Sequence, residues 1–365
     1  MTNSAYFNTV TSESAFRTRF NAEGGRLFSD IHHVAASEWG RDHLFACRVI
    51  RRETQHNILP FLSEYKSPPD VEFSSEIHAF LRGPDSTYLS QSEHGLVRDS
   101  GYGISLAQIW AAMAMIKAQK DLRRKVLVDG SMDEKDYVDS SILQVGSSSP
   151  QADSSHEASS IGYIDMETHM LMVSPEDETL RLASCVIRHN LCFAPPQDSC
   201  DLQSVVEFRD AKSRLAVSTP ILRRKIVATD DGGLCRRLES GDVFTVGRER
   251  VAIVEAKKQF QCLENGRPII SDNCFAQMTC EALVARLADP FTELGHGSVI
   301  LIHVTQHYMC FLHFQINDEY LRDFESAAPS NFIYVTSTPW FDLTSRNGRD
   351  QVVQNLSCIM RWAAE

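Results

Sequence analysis

Asp242, Glu255 and Lys257 are the residues whose types and spacing indicate chemistry in this chain. They lie within ESGDVFTVGRERVAIVEAKK, residues 239–258. Two carboxylates brought together repel each other and resist joint ionisation, so a fold that keeps such a pair needs a compensating cation. Oxygen ligands with a lysine alongside suit Mg²⁺ or Mn²⁺ rather than zinc. The three residues therefore indicate a divalent-metal site, provided that the fold brings them together.

A β-hairpin is the element that would bring them together. Residues 243–246 and 251–254 are rich in β-branched and aromatic side chains, which predicts two short strands, and GRER between them is typical of a turn. If the two strands pair symmetrically across that turn, Asp242 lies directly opposite Glu255. Residues opposite each other in an antiparallel pair point to the same face, and Lys257 shares that face because it is two residues from Glu255.

This arrangement resembles the PD-(D/E)XK nuclease superfamily, which has the restriction-endonuclease-like fold. The resemblance implies that Asp242 and Glu255 hold Mg²⁺ or Mn²⁺ and that Lys257 positions or activates the attacking water. Gly241 stands where the superfamily motif has a proline, although that proline is often absent. Gln277 is similar to the helical glutamine that several branches carry near the metal, after the lysine strand. The catalytic residues implied by the resemblance are thus Asp242, Glu255, Lys257 and Gln277.

Acidic residues elsewhere leave alternatives open. Asp230 and Asp231 can reach a metal, although an Asp before Gly is ordinary turn chemistry. Glu178, near the start of a helix predicted over residues 174–193, either faces the metal or interacts with the helix dipole. The simplest alternative to the whole site is a surface hairpin with an ion pair at its mouth. Three other acid-x-Lys patterns lack a paired apolar strand with an Asp in register, namely Glu64–Lys66, Asp133–Lys135 and Asp210–Lys212.

The charge of the chain is unevenly distributed. The 365 residues carry a formal net charge of −12, which by itself counts against a nucleic-acid partner. Residues 126–180 hold a net charge of −11, whereas residues 223–258, around the candidate site, hold +3. A locally basic site favours DNA or RNA as partner. The alternative is that these arginines are solvated strand and turn positions.

The cysteines and the apolar runs bear on the compartment. Ten cysteines are scattered without a C-x-x-C pair, which predicts free thiols, no zinc cluster and no disulfide-linked partner. The chain contains no apolar run of about 18 residues, so we expect no membrane span. The N-terminus lacks the apolar core of a secretory signal. Residues 225–365, which include STPWFDL, also resemble proteins of filamentous fungi, and this implies no particular activity. We therefore expect an intracellular protein of the cytoplasm or nucleus.

The order of predicted elements indicates an α/β (α+β) fold, with a mixed β-sheet flanked by helices. Residues 1–125 form a mostly helical N-terminal region. Residues 126–160 are rich in Ser and Asp and predict a disordered acidic linker or insertion. Residues 161–365 then form the nuclease-like domain, with the restriction-endonuclease-like core that the resemblance implies.

Two functions from different classes follow. The first is a metal-dependent nuclease that hydrolyses phosphodiester bonds of DNA or RNA. The second is a catalytically inactive module that keeps the nuclease fold for binding. A purely structural ion-pair cluster is a third, weaker alternative.

Limited proteolysis tests the division of the chain. The native protein should be cut first within residues 129–160, because low hydrophobicity and a high acid content predict disorder there. Mass spectrometry of the first fragments locates the cuts. If this segment is protected and cleavage starts elsewhere, the predicted linker is wrong.

Overall fold

The structure is a computed structural model that describes residues 4–32, 34–68, 71–98, 101–128, 163–164, 171–172, 175–199, 202–257, 262–264, 267–289 and 297–365. The statements below concern these residues. The acidic segment predicted over 126–160 lies outside them, except for residues 126–128 at the end of a helix. Its disorder stays a prediction.

Ten α-helices are described. They are α1 Tyr6–Thr9, α2 Glu13–Ala22, α3 Arg41–Ala46, α4 Ser75–Arg82, α5 Glu93–Arg98, α6 Ile104–Val128, α7 Pro175–Phe193, α8 Asp272–Leu287, α9 Asp318–Asp323 and α10 Arg346–Ala364. Short 3-10 helices occupy Phe28–Asp30, Ala36–Glu38, Pro60–Tyr65 and Ser86–Ser90. Serine hydroxyls accept backbone N–H groups at the start of five of the described helices, namely Ser12, Ser74, Ser92, Ser271 and Ser345. These caps satisfy donors that have no partner within the helix.

The described strands are β1 Val49–Arg51, β2 Tyr163–Ile164, β3 Leu171–Met172, β4 Ser204–Arg209, β5 Arg214–Ser218, β6 Lys225–Thr229, β7 Gly232–Ser240, β8 Val243–Lys257, β9 Cys262–Glu264, β10 Arg267–Ile269, β11 Ser298–Thr305, β12 Tyr308–Gln315, β13 Ile333–Ser337 and β14 Phe341–Asp342. Eight of them form one sheet in the order β1-β13-β12-β11-β8-β7-β4, with β14 pairing with β12. β1 is parallel to β13 and β8 to β11, whereas the other pairs are antiparallel. The end of β8 therefore lies between β7 and β11.

Alternate residues of the central strands enter two separate apolar cores. Ile300 and Ile302 pack in the core that contains α6, α7 and α10. Val299 and Leu301 pack in the core that contains α8 and the first three helices. Successive side chains of a strand point to opposite faces, so a strand buried on both faces must be apolar throughout. This explains the uninterrupted run SVILIHV and confirms a mixed α/β fold with helices on both faces of a mixed sheet.

The N-terminal region shares both cores with the rest of the described chain. Helices α1 to α3 pack in the core that contains α8, and α4 and α6 pack in the other. The Tyr6 hydroxyl donates a hydrogen bond to the Val49 carbonyl oxygen at 2.7 Å, which ties α1 to β1. β1 in turn extends the main sheet, and sequence analysis did not predict this strand. The predicted domain boundary at 126–160 stays a prediction.

Two further properties of the described residues can be stated. No described helix combines the length and the apolar character needed to cross a lipid bilayer. The cysteines whose side chains are described are free thiols, and most are buried.

The hairpin predicted around GRER is wrong. β7 and β8 form one long hairpin whose turn lies at Gly241 and Asp242. GRER lies inside β8, where Arg248 pairs with Arg236 and the register shifts on both sides of Arg236. Gly241 has a φ of +66°, a conformation that glycine adopts without steric cost, so the chain turns there instead.

The shared core predicts one cooperative unfolding unit. Phe16 of α2 contacts Phe45 and Phe332 edge-to-face, with ring centroids 5.9 Å and 5.3 Å apart, and is 2 % exposed. Replacing Phe16 with Ala should lower the free energy of unfolding by about 3–5 kcal/mol, because it leaves a cavity between the N-terminal and C-terminal parts. Ser14→Ala, at an exposed position of the same helix, is the control.

Calorimetry gives the readout. We expect the whole transition of Phe16→Ala to shift to lower temperature. Two transitions, of which only one shifts, would show that the N-terminal region unfolds separately.

Candidate functional site

Glu255 and Lys257 form a buried ion pair at the end of β8. The Glu255 side chain is completely buried, and the Lys257 Nζ lies 2.7 Å from its Oε1. Both residues point to the face of the sheet that α8 covers, since neighbouring Ile253 packs in that core. The structure thus brings together two of the residues that the sequence singled out.

Helix α8 supplies the third. It is buried on all sides, and it begins after Ser271, whose hydroxyl accepts from the Cys274 N–H. Gln277 Nε2 donates hydrogen bonds to Glu255 Oε1 at 2.7 Å and to Glu281 Oε1 at 3.0 Å. One amide group therefore bridges two buried carboxyl groups from different elements.

Asp242 is not part of this arrangement, and its predicted position opposite Glu255 is wrong. It is exposed in the β7–β8 turn. It lies at the other end of β8, roughly 40 Å from Glu255 at about 3.3 Å per residue. The cause is the turn at Gly241, which makes the two segments predicted as paired strands parts of one strand.

Asp231 occupies the place predicted for Asp242. It precedes Gly232, which pairs with Val254, so it lies beside Glu255 at the end of the ladder. Its N–H donates to the Val254 carbonyl oxygen at 3.1 Å, and its Oδ2 accepts from the Ala256 N–H at 3.0 Å. These bonds fix a buried carboxylate on the strand next to Glu255.

The two glycines after Asp231 make this position possible. A Cβ on Gly232 would lie 2.9 Å from the Arg209 carbonyl oxygen, and one on Gly233 would lie 2.6 Å from that of Ala252. Both distances are too short for a side chain. The sequence Asp-Gly-Gly thus lets the start of β7 approach the backbones of β4 and β8 closely, and Asp231 immediately precedes this start.

A second lysine and a helix residue complete what we call the carboxylate cluster. Lys212 Nζ, from the loop between β4 and β5, lies 3.0 Å from Asp231 Oδ1. Glu176 is in the first turn of α7, and the charges of Lys257 and Asp231 shift its pKa. The cluster consists of Asp231, Glu255, Glu281, Glu176, Lys212, Lys257 and Gln277.

Sequence analysis considered Glu178 as the residue of α7 that faces the metal. Its closest cation among the described residues is Arg181 rather than a lysine of the cluster. Its Oε2 lies 4.0 Å from Arg181 Nη1 on the same helix. Burial has the largest effect on the pKa of Glu178, and the charges that also shift it are those of Arg181 and Asp177. The acidic residues of α7 that interact with the cluster are therefore Glu176 and Asp177, since charges of the cluster act on both.

Burial dominates the electrostatics of the cluster. It raises the pKa of Glu255 to about 8, partly opposed by the Lys257 ammonium. Burial and the negative charge of Glu255 raise the pKa of Glu281 well above its ordinary value. For Lys257, burial lowers the pKa, but Glu255 and Glu176 outweigh it and raise the pKa well above its ordinary value. Lys257 is therefore an ammonium group at neutral pH, and the surroundings of Glu281 favour its protonated form.

The donor set fits a hard divalent cation. Glu255 Oε2 is buried and has no hydrogen-bond donor among the described residues. Among those residues, no group of three or more His, Cys, Asp or Glu side chains is arranged to hold a metal by itself. Mg²⁺ does not require one, since proteins commonly bind it through one or two carboxylates, with water and substrate phosphates as further ligands. Asp231 and Glu255 supply such a pair.

The arginines of residues 223–258 do not line this cluster. Most of them contact other parts of the described chain: Arg224 donates to the carbonyl oxygens of Phe28 and Ile31, Arg236 to that of Ala364 and Arg250 to that of Ala285, while Arg237 pairs with Glu207 and Arg248 stacks on Trp362. These contacts favour the alternative that the local positive charge supports the strands.

Nearby His303 is a packing residue. Its Nδ1 lies 3.1 Å from the Glu255 carbonyl oxygen, and its Nε2 lies 3.4 Å from Cys274 Sγ. Burial lowers its pKa to about 4, so it is neutral at pH 7.

Two comparisons with known proteins give no relative. A scan against protein-family models finds no match, and a search of curated proteins finds none either. The function therefore has to be inferred from the geometry of the cluster.

The raised pKa of Glu281 predicts a pH-dependent stability. A carboxyl group whose pKa is raised by folding stabilises the folded state below its unfolded pKa of about 4.5, and this contribution is lost as the pH rises toward the folded pKa. Glu281→Gln keeps the shape and cannot ionise. The variant should therefore be more stable than the wild type at pH 8 and similar to it at pH 5.

Denaturant unfolding in the presence of EDTA at the two pH values provides the measurement. Glu239→Gln, at an exposed position of β7, is the control and should behave like the wild type at both. An equal effect of Glu281→Gln at pH 5 and pH 8 would contradict the proposed protonation of Glu281.

Proposed function

We propose that the chain is a metal-dependent phosphodiesterase that cleaves DNA or RNA and has a restriction-endonuclease-like core. The observation that carries the proposal is the meeting of Asp231 and Glu255 on neighbouring strands, with Lys257 two residues after the Glu. This is the constellation sought in the sequence, with Asp231 in place of Asp242.

The order of elements around the cluster supports the same proposal. Helix α7 precedes the antiparallel strands β4, β7 and β8, and α8 then leads to β11, parallel to β8. The helix before the first of these strands carries Glu176, and the helix after the lysine strand carries Gln277. Gln277 stands where several branches of the superfamily carry their helical glutamine, and Glu176 lies on the helix in which an acidic residue was considered for the metal.

The proposed roles follow from the contacts. Glu255 Oε2, which accepts no hydrogen bond among the described residues, and Asp231 Oδ1, whose partner is the half-exposed Lys212, are the oxygens that would hold Mg²⁺ or Mn²⁺. Asp231 Oδ2 is held by the Ala256 N–H, and Glu255 Oε1 by Lys257 and Gln277. When bound, the cation supplies Lewis acidity toward the phosphate oxygens. Gln277 fixes the orientation of Glu255.

Lys257 acts as a cation in this scheme. Its high pKa keeps it protonated, so it donates hydrogen bonds and offsets the negative charge that develops on the phosphate. It can also orient the attacking water through one of its three N–H donors. Proton removal from that water is then left to another group.

Substitutions in the cluster test the proposal. Asp231→Asn and Glu255→Gln should each lower Mg²⁺-dependent cleavage of single- or double-stranded oligonucleotides by about a hundredfold or more, because each removes a metal ligand. Asp242→Asn changes the same functional group at the exposed end of β8 and should keep full activity. Lys257→Met should lower the rate without abolishing metal binding.

Metal-linked stability separates the alternatives. Mg²⁺ or Mn²⁺ should raise the melting temperature of the wild type and of Asp242→Asn, but not that of Glu255→Gln. A metal effect without cleavage of any DNA or RNA substrate would favour the inactive binding module. If the wild type shows neither metal-linked stability nor cleavage, the proposal is refuted.

A further inference from the structure

The two lysines of the carboxylate cluster lie in different surroundings. Lys257 is in a central strand, and only 17 % of its side chain is exposed. Lys212 is in the loop between β4 and β5, and 44 % of its side chain is exposed. Each is paired with one of the two carboxylates that would hold a metal. A divalent cation at this position must therefore replace at least one ammonium group.

Lys212 is the one that can leave. An ammonium group that is half exposed regains water when its ion pair opens, whereas a buried one would lose its partner without compensation. Asp231 does not depend on Lys212 for its position, because Oδ2 accepts the Ala256 N–H and the backbone N–H bonds to Val254. Opening the pair frees Asp231 Oδ1 and leaves the carboxylate in place.

The loop that carries Lys212 is held above the cluster independently of this pair. Arg209 Nη2 lies 2.7 Å from Asp230 Oδ2, and the Ser213 N–H donates to Asp230 Oδ1 at 2.9 Å. Arg188 pairs with Asp210 as a further attachment. These contacts fix both sides of Lys212, so that its ammonium group remains near the cluster after it leaves Asp231.

We propose that Lys212 is an exchangeable counter-ion of the cluster, which neutralises Asp231 in the metal-free protein and turns to the substrate phosphodiester when a divalent cation binds Asp231. This inference rests on the proposed function. It adds a substrate-binding residue from a loop in which sequence analysis found only an unsupported acid-x-Lys pattern. Lys212 keeps a negatively charged partner throughout the exchange, since the phosphodiester takes the place of Asp231 when the cation binds there.

The first test follows metal binding without substrate. Lys212→Met should have a lower melting temperature than the wild type in EDTA, because a buried carboxylate loses its partner. Mn²⁺ should then raise its melting temperature more than it does for the wild type. The half-saturating Mn²⁺ concentration should fall by about three- to tenfold, as expected when a competing charge is removed. Lys225→Met, an exposed lysine of β6, is the matched control and should equal the wild type.

The second test follows cleavage at saturating Mn²⁺. Lys212→Met should raise KM by about tenfold with little change in kcat, because a contact to a non-reacting phosphate charge stabilises bound substrate and transition state equally. Lys212→Arg restores the charge and should restore KM. Lys212→Gln, which keeps a donor for Asp231, replaces Lys212→Met if that variant does not fold.

The outcomes distinguish this inference from the proposed function. Tighter Mn²⁺ binding with a raised KM supports the exchange. Unchanged Mn²⁺ affinity and unchanged KM in Lys212→Met overturn it, while Mn²⁺-linked stability and cleavage by the wild type leave the nuclease proposal intact. Weaker Mn²⁺ binding in Lys212→Met also overturns it, because it would show that Lys212 only supports the site. No Mn²⁺ effect on the wild type would refute both.

Discussion

The buried carboxylate of Glu255 is the constraint on which the centre of this structure depends. A carboxyl group that is removed from water is tolerated only when it is hydrogen-bonded or paired with good geometry. Lys257 and Gln277 satisfy one of its oxygens, and they come from the same strand and from the helix packed against it. β8 must therefore be an interior strand, and α8 must be buried on all sides although it carries Gln277 and Glu281. The apolar residues around them serve to hold this polar group in place.

Part of the site could be predicted from the sequence. Glu255 and Lys257 were recognisable because an apolar strand ends in Glu-x-Lys, and Gln277 because a capped helix follows. The partner carboxylate was placed wrongly because GRER contains a glycine and three charged residues, which is also the composition of a solvent-exposed strand. The role of Asp231 was not predicted because of the two glycines that follow it. Asp-Gly-Gly is typical of a turn, and only the close approach of Arg209 and Ala252 shows why glycines are needed to begin a strand there.

The secondary structure was predictable where its sequence signal lies within a few neighbouring residues. The run SVILIHV indicates a strand buried on both faces, and Ser271 indicates the start of a helix, because both signals lie within a few residues. β1 and Lys212 could not be found in this way. β1 is a three-residue strand after a short helix, and only its pairing with β13 makes it part of the sheet. The position of Lys212 depends on a loop anchored by Asp230, which is a tertiary contact without a sequence pattern.

The parallel pairing of β1 with β13 also affects the order in which the chain can fold during synthesis. Val49 leaves the ribosome long before its partner Ile333 exists, and the same holds for Phe16 and Phe332. Until the last tenth of the chain has been made, Phe16 and β1 lack part of the surface that covers them in the folded protein. Contacts between such distant residues slow folding and leave apolar surface exposed in the nascent chain. Newly made chains of this protein should therefore depend on chaperones to a greater degree than their folded stability would indicate.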